Sequence, residues 1–126
     1  ELERCGRLGD GWLPSFCTPD AVRRGIEVVN DAATDAGRTI DPEHFGVLLP
    51  YLEGPIPQQL ADVVLARDPD AVPDSAIGTS KTQLRERLEA YIDAGASKFV
   101  LFPFGPVTDM TAELEALAAD LLPMQT

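Results

Sequence analysis

The chain has 126 residues, 44% of them hydrophobic and 25% charged, a composition typical of one folded domain rather than a disordered segment. Its net charge of −11 would repel a phosphate backbone, so we expect no nucleic-acid partner. No apolar run approaches the roughly 18 residues that a membrane-spanning helix needs, so we expect no membrane partner either.

The first predicted elements are two helices separated by a short strand. Apolar residues at positions 2–8 stand at helical spacing, which favours a helix entered part-way along and a cut at the amino end, with a processed terminus as the alternative. Residues 11–13 predict a short strand. Thr18 and Pro19 then predict a helix start, because threonine caps a helix and proline fits its first turn. An apolar stripe follows and ends at Gly37.

Two apolar runs, residues 45–49 and 98–102, come next among the predicted strands. Neither run alternates with polar residues, so we expect both strands to be buried on both faces. Between them lie a short helix near residues 60–67, a loop at 68–75 and a helix from Ser80 to Gly95. The predicted buried face of the helix from Ser80 to Gly95 consists of Leu84, Leu88, Tyr91 and Ile92.

The last predicted helix runs from about Asp109 to Leu122, and we expect its leucines to face inward: Leu114, Leu117, Leu121 and Leu122. Helices thus alternate with strands through short connections, which predicts an α/β fold with parallel strands and right-handed crossovers. Three strands are too few for a closed barrel. The sequence has the βα repeat of a (β/α)8 barrel without its length of about 250 residues.

The sequence gives little support for a metal or catalytic site that depends on cysteine or histidine. Cys5 and Cys17 stand at no metal-ligand spacing from each other or from the one histidine, His44. We therefore expect no metal site and free thiols in a reducing cytoplasm, with a disulfide as the alternative. His44 lies in a turn before a strand, and no nucleophile–base motif or phosphate-binding loop accompanies it.

Two other places are candidates for ligand binding. The strand ends at residues 12–15, 49–51 and 102–105 would meet where barrels bind ligands, although core packing with proline terminators explains them equally well. Residues 77–80 precede a helix whose amides could hold an anion, with a plain helix cap as the alternative. Four glutamates fall on outer helix faces, where we expect them to be solvated: Glu86, Glu89, Glu113 and Glu115.

Two stretches resemble the luciferase-like monooxygenase family. Residues 5–14, CGRLGDGWLP, resemble that family's AGRLADGW stretch, which is followed by a hydrophobic residue and proline. Residues 76–88, with DAGA and FVL after them, resemble the family's ending, in which a hydrophobic residue precedes Gly-Thr-Pro-Glu. Here Ser80 and Lys81 replace the usual Pro-Glu.

The resemblance implies an oxidoreductase or monooxygenase that acts on a small molecule with FMN or a deazaflavin of the F420 type. It implies that residues 1–126 form a single partial domain, the last third or so of a (β/α)8 barrel. The family's phosphate-binding glycines lie upstream of the matched stretch, so we expect this chain alone to be inactive and to bind neither cofactor. Only Trp12, Pro14 and Ser15 carry over, as neighbours of the cofactor pocket. The family's catalytic groups have no match here.

A second interpretation stays open: a small stand-alone α/β module that acts through protein–protein contact without catalysis. Continuation of the reading frame upstream in the same βα pattern would distinguish the two. In either case, strands that are apolar on both faces need cover, and free sheet edges need partners. We therefore predict a homo-oligomer, most simply a two-fold dimer.

Overall fold

The structure is a computed structural model that describes residues 1–124, and the predicted order of helices and strands is confirmed except for the short strand between the first two helices. The elements in chain order are α1 (Leu2–Leu8), α2 (Pro19–Asp35), β1 (Gly46–Tyr51), α3 (Gln58–Arg67), α4 (Lys81–Asp93), β2 (Lys98–Pro103) and α5 (Met110–Leu121). Short 3-10 turns occupy Pro42–His44, Pro73–Ser75 and Leu122–Met124.

The boundaries of α2 and α4 follow local sequence signals. The side chain of Thr18 accepts a hydrogen bond from the amide of Ala21, and Pro19 occupies the first turn of α2. Gly37 and Gly95, which follow α2 and α4, have φ angles of +70° and +102°. Glycine adopts such angles without the steric cost that a Cβ atom would add, so these two residues end the helices as predicted.

The sheet consists of two parallel strands, β1 and β2, and β1 also has partners on its second edge. Gly46 pairs with Lys98 and Tyr51 with Pro103, which sets the register of β1 against β2. On the other edge of β1, residues 12–15 form two parallel bridges, Trp12 with Phe45 and Ser15 with Leu48. The short strand predicted at residues 11–13 is therefore not formed as a strand, and two isolated bridges stand in its place.

Gly78 extends this second edge of β1 beyond residue 15. The amide of Leu48 donates to the carbonyl of Pro14, and the amide of Leu52 donates to the carbonyl of Gly78. Alternate amides of one strand point the same way, so Pro14 and Gly78 lie on the same edge. Strand β1 is thus flanked along its whole length.

The two faces of the sheet differ in their cover. Odd-numbered residues of β1 pack against α2 and α4 in one cluster, in which Leu49 and Tyr51 contact Val22, Leu84 and Tyr91. Even-numbered residues of both strands share the opposite side because the side-chain period of a strand is two. We call that side the inner face; its residues are Leu13, Ser15, Gly46, Leu48, Pro50, Lys98, Val100 and Phe102.

The expected burial of both strands on both faces is correct for β1 and wrong for β2. Five of the six residues of β1 are buried, and Leu48 is half-buried. In β2 no residue is buried, and the side chains of Val100 and Phe102 are 47% and 48% exposed. The reason is position: within residues 1–124, β2 has a paired strand on one edge only.

The predicted inward face of the last helix is also partly wrong. Helix α5 contains no buried residue, and Leu114 is 58% exposed, although Leu117 and Leu121 pack against the core cluster. Ile92, at the end of the predicted buried face of α4, is likewise exposed. All of these residues lie around β2, where cover is missing.

Candidate functional site

A cleft of about 530 Å³ opens at the carboxyl end of the sheet, where β1 and β2 stop. We call it the carboxyl-edge cleft. Its walls come from residues 51–53 at the end of β1, residues 103–109 at the end of β2, Lys81 at the start of α4, and Ala112 and Glu113 in the first turn of α5. Ligands of parallel α/β sheets bind at this edge, which makes the cleft the candidate site.

A polar network ties three elements together inside the cleft. The hydroxyl of Tyr51, the last residue of β1, donates a hydrogen bond of 2.9 Å to Oε1 of Glu113 in α5. The other oxygen of Glu113 lies 3.3 Å from Nζ of Lys81 in α4. Both oxygens of this carboxylate therefore have a partner, and the network holds α5 against the end of the sheet.

The surroundings of Tyr51 favour the protonated form of its phenol. Burial of the phenol, together with its hydrogen bond to Glu113 and the charge of that carboxylate, raises the pKa of Tyr51 to about 12. The phenol therefore stays protonated at neutral pH and acts as a hydrogen-bond donor rather than as a base.

The cleft has apolar walls and an acidic rim. Phe104 lies in the segment after β2 and is partly exposed, with Pro103 and Pro106 on either side of it in the sequence. The ionisable side chains of the lining are Glu53, Asp109, Glu113 and Lys81, three carboxylates against one ammonium. Such a lining offers contact to a flat ring and opposes a phosphate group.

Of the three predicted strand ends, those of β1 and β2 meet at the cleft and residues 12–15 do not, and sequence reasoning missed the network between the two. Glu113 was expected on a solvated helix face, which is wrong, because its side chain is 20% exposed and paired with Tyr51 and Lys81. The expectation is correct for the exposed residues Glu86, Glu89 and Glu115. Glu113 lies 62 residues from Tyr51, and no local pattern signals a contact over that separation.

Of the sequence-predicted pocket neighbours, Trp12 lies on the helix side of the sheet. A Cβ atom added to Gly25 of α2 would come within 2.2 Å of its ring, so the indole packs directly on that helix. Pro14 is buried, and Ser15 is half-buried on the inner face. The lining of the carboxyl-edge cleft includes none of the three, and their role near a cofactor stays a prediction.

Phe16, directly after Ser15, is the one described residue other than glycine with a positive φ angle, +54°. Side chains rarely adopt that angle because the Cβ atom crowds the backbone. The Phe16 side chain packs against the cluster formed by Leu60, Val64 and Ile77. This packing accounts for the conformation without a ligand.

The predicted anion site before α4 is a helix cap. Oγ of Ser80 accepts a hydrogen bond from the amide of Gln83, and Oε1 of Gln83 accepts one from the amide of Thr79. The arrangement is similar to a capping box, in which side chains at both ends of the first turn satisfy its amides. Two of the amides that an anion would need are therefore already occupied.

The thiols and the histidine have structural contacts. Cys5 and Cys17 are free, half-buried thiols, and burial raises the pKa of Cys17. His44 is exposed in the turn before β1, with Nδ1 2.8 Å from the carbonyl of Asp10. Within residues 1–124, no group of three or more potential ligand side chains is placed to hold a metal ion. No helix in this range is long and apolar enough to cross a membrane.

Comparison with solved structures identifies the fold. An F420-dependent secondary alcohol dehydrogenase, solved with an F420-acetone adduct, is similar over 99% of this chain and 46% of its own, with a TM-score of 0.69 and 14% identity. The coenzyme F420 dependent tetrahydromethanopterin reductase of Methanopyrus kandleri is similar over 99% of this chain and 48% of its own, with a TM-score of 0.66 and 15% identity. A monooxygenase of Streptomyces bottropensis is similar over 98% of this chain and 44% of its own, with a TM-score of 0.61 and 19% identity.

This chain has the luciferase-like fold. The resemblance read from the sequence is thereby confirmed at the level of the fold. The chain spans slightly less than half the length of these three structures, more than the last third that the resemblance implied. No family model and no curated protein sequence matches the chain.

Proposed function

We propose that this chain is the carboxy-terminal part of a (β/α)8-barrel oxidoreductase that uses a deazaflavin or FMN, and that it is inactive by itself. The observation that carries the proposal is the likeness to two F420-dependent enzymes over 99% of this chain and less than half of theirs.

The exposed inner face supports a partial barrel. Leu13, Val100 and Phe102 are 55%, 47% and 48% exposed there. In a closed barrel, residues at such positions fill the interior in layers contributed by alternate strands. The remaining strands of a barrel would cover these side chains, which the two-stranded sheet of this chain does not cover by itself.

The carboxyl-edge cleft suits one part of the cofactor. Its apolar wall around Phe104 fits a planar ring, and the phenol oxygen of Tyr51, whose O–H is donated to Glu113, offers a hydrogen-bond acceptor beside that wall. The phosphate end does not fit, because carboxylates outnumber Lys81 in the lining and the amides before α4 are capped. We therefore assign phosphate binding to residues outside this chain.

Bound in this way, a deazaflavin or flavin would supply the hydride chemistry, and this chain would supply positioning. Glu113, held by Lys81 and Tyr51, fixes the wall of the cleft formed by residues 103–109 and the start of α5. The small-molecule substrate would meet the cofactor ring at the same edge of the barrel.

Titration of fluorescent F420 and of FMN tests the proposal on two proteins. One is the 126-residue chain, and the other is the product of the whole reading frame that contains it. We expect submicromolar binding of one cofactor by the longer protein and none by the chain alone. Submicromolar binding by the chain alone would contradict its assignment as an incomplete part, and no binding by either protein would contradict the cofactor assignment.

A matched pair of variants in the longer protein examines the cleft. Phe104→Ala should weaken binding about fivefold, because one aromatic contact contributes about 1 kcal/mol. Val72→Ala, in an exposed loop, should leave the affinity unchanged. Equal affinities for both variants would show that the ring binds elsewhere.

A further inference from the structure

The polar network of the carboxyl-edge cleft runs from a buried residue to solvent. It begins at Tyr51, which is 4% exposed and whose phenol donates to Oε1 of Glu113 over 2.9 Å. It ends at Nζ of Lys81, which lies 3.3 Å from Oε2 of Glu113. The side chains of Glu113 and Lys81 are 20% and 36% exposed. A proton that reaches the carboxylate of Glu113 therefore has water within reach.

The phenol oxygen of Tyr51 is able to accept a hydrogen bond from a bound molecule. Its own proton is directed at Glu113, and a hydroxyl oxygen keeps lone pairs for a second partner. Tyr51 also lines the cleft, so a donor group in the cleft can approach that oxygen. Because the pKa of Tyr51 is about 12, the phenol can receive one proton while it gives up another, without persisting as an anion at neutral pH.

The charges of the lining restrict what this donor group can be. Glu53, Asp109 and Glu113 contribute three carboxylates, and the ammonium group of Lys81 is already paired with Glu113. A substrate that carries a carboxylate or a phosphate would meet electrostatic repulsion in such a cleft. An uncharged hydroxyl group avoids that repulsion and supplies the proton that the phenol oxygen can accept.

We propose that the site oxidises an uncharged alcohol, and that Tyr51 and Glu113 relay the hydroxyl proton of the alcohol towards solvent. This inference rests on the proposed function, because the hydride chemistry of a bound deazaflavin or flavin removes the hydrogen of the C–H bond together with its electron pair. The hydroxyl proton is then left for residues of this chain.

The relay moves one proton through two hydrogen bonds. As the O–H bond of the alcohol breaks, its electron pair forms the second carbon–oxygen bond of the carbonyl product, and its proton passes to the phenol oxygen of Tyr51. The original phenol proton passes to Oε1 of Glu113, which becomes a carboxylic acid and releases the proton to water. Tyr51 is thus a catalytic residue. Lys81 is a positioning residue, because it holds Oε2 and leaves Oε1 to the phenol.

Oxidation of a panel of short primary and secondary alcohols tests the relay in the longer protein, loaded with the cofactor that it binds. Tyr51→Phe should lower kcat on the order of 100-fold, since proton transfer by a positioned group contributes at least that much. It should change KM and the affinity for the cofactor by about twofold or less. Glu113→Gln should lower kcat to a similar extent. Glu115→Gln, an exposed change on the same helix, is the control and should keep full activity.

These outcomes separate this inference from the proposed function. Full kcat in Tyr51→Phe would overturn the relay. Cofactor binding without oxidation of any alcohol in the panel would overturn the assignment of the substrate and leave the proposed function standing. Absence of cofactor binding would overturn the proposed function, and this inference with it.

A spectroscopic titration of the 126-residue chain tests the contact without a cofactor. Burial raises the pKa of Tyr51 most, and the bond to Glu113 and the charge of its carboxylate raise it further. Glu113→Gln removes that charge, so ultraviolet absorbance should show the first phenol ionising at lower pH than in Glu115→Gln. Burial keeps the pKa of the other tyrosine, Tyr91, raised in both variants, and Glu53, Lys81 and Asp109 of the lining are unchanged. Identical titration curves would overturn the contact on which the relay depends.

Discussion

Strands β1 and β2 have similar sequences, GVLLPY and KFVLFP, and opposite environments. Leu49 in β1 is fully buried, and its partner in the register, Leu101, is half-buried. The difference comes from their neighbours: β1 has residues 12–15 and Gly78 along one edge and β2 along the other. An apolar strand is thus buried only as far as the surrounding chain provides cover.

The helices around the two strands show the same contrast. Helix α2, packed against β1, contributes Val22 and Val29 to the core, both completely buried. Helix α5, beside β2, contributes no buried residue; the half-buried Leu117 and Leu121 pack against the core, and Glu113 adds polar contacts. Stability should therefore be concentrated on the β1 side.

Truncation of Leu49 in β1 and of its partner Leu101 in β2 tests the difference in stability between the two strands, and it has the largest expected effect. Leu49→Ala should lower the free energy of unfolding by about 2–5 kcal/mol, because it leaves a cavity in a closed core. Leu101→Ala should cost about half as much or less, because solvent and mobile side chains can fill the space. Urea denaturation at one fixed protein concentration measures both, and equal losses would contradict the difference in burial.

Gly78 offers a test of the flank of β1. Its φ angle is not positive, so the backbone conformation there does not require glycine, but an added Cβ atom would lie 3.3 Å from Cα of Leu84. Gly78→Val should therefore destabilise the fold by about 1–3 kcal/mol through overcrowding. The exposed change Glu115→Gln should cost almost nothing. Coinciding denaturation midpoints for the two variants would show that the flank has room.

Removing the Tyr51 hydroxyl should weaken the link between the end of β1 and helix α5. Tyr51→Phe should lower the free energy of unfolding by about 1 kcal/mol at neutral pH, since Glu113 keeps Lys81 as a partner. Hydrogen exchange of α5 amides should accelerate more than that of α2 amides. Uniform acceleration in both helices would show that the network does not act on α5 in particular.

The same variant has a signature at high pH. The pKa of Tyr51 is about 12 in the folded chain and about 10 when unfolded, so the unfolded state releases the proton first. Its stabilising contribution is complete below pH 10 and is lost as the pH rises through 12. The urea midpoint of the unmodified chain should fall further between pH 10 and 12 than that of Tyr51→Phe. Parallel curves would contradict a raised pKa of Tyr51.

The order of elements was predictable because its signals are local. The caps at Thr18 and Asp109 and the glycines at 37 and 95 act on neighbouring backbone groups, and the structure places them where they were expected. The candidate site was predictable only in part. The strand ends were identified, but the contact of Tyr51 with Glu113 depends on how α5 crosses the end of the sheet.

The sequence by itself determined the helices, the parallel βα order and the resemblance to the luciferase-like family, since short-range hydrogen bonding and hydrophobic periodicity are written in neighbouring residues. Only the tertiary structure decided which of two equally apolar strands is buried and which glutamate is paired. Burial and ion pairing depend on groups that are distant in the sequence. For β1 those groups lie within this chain, whereas for the outer edge of β2 the described residues provide none.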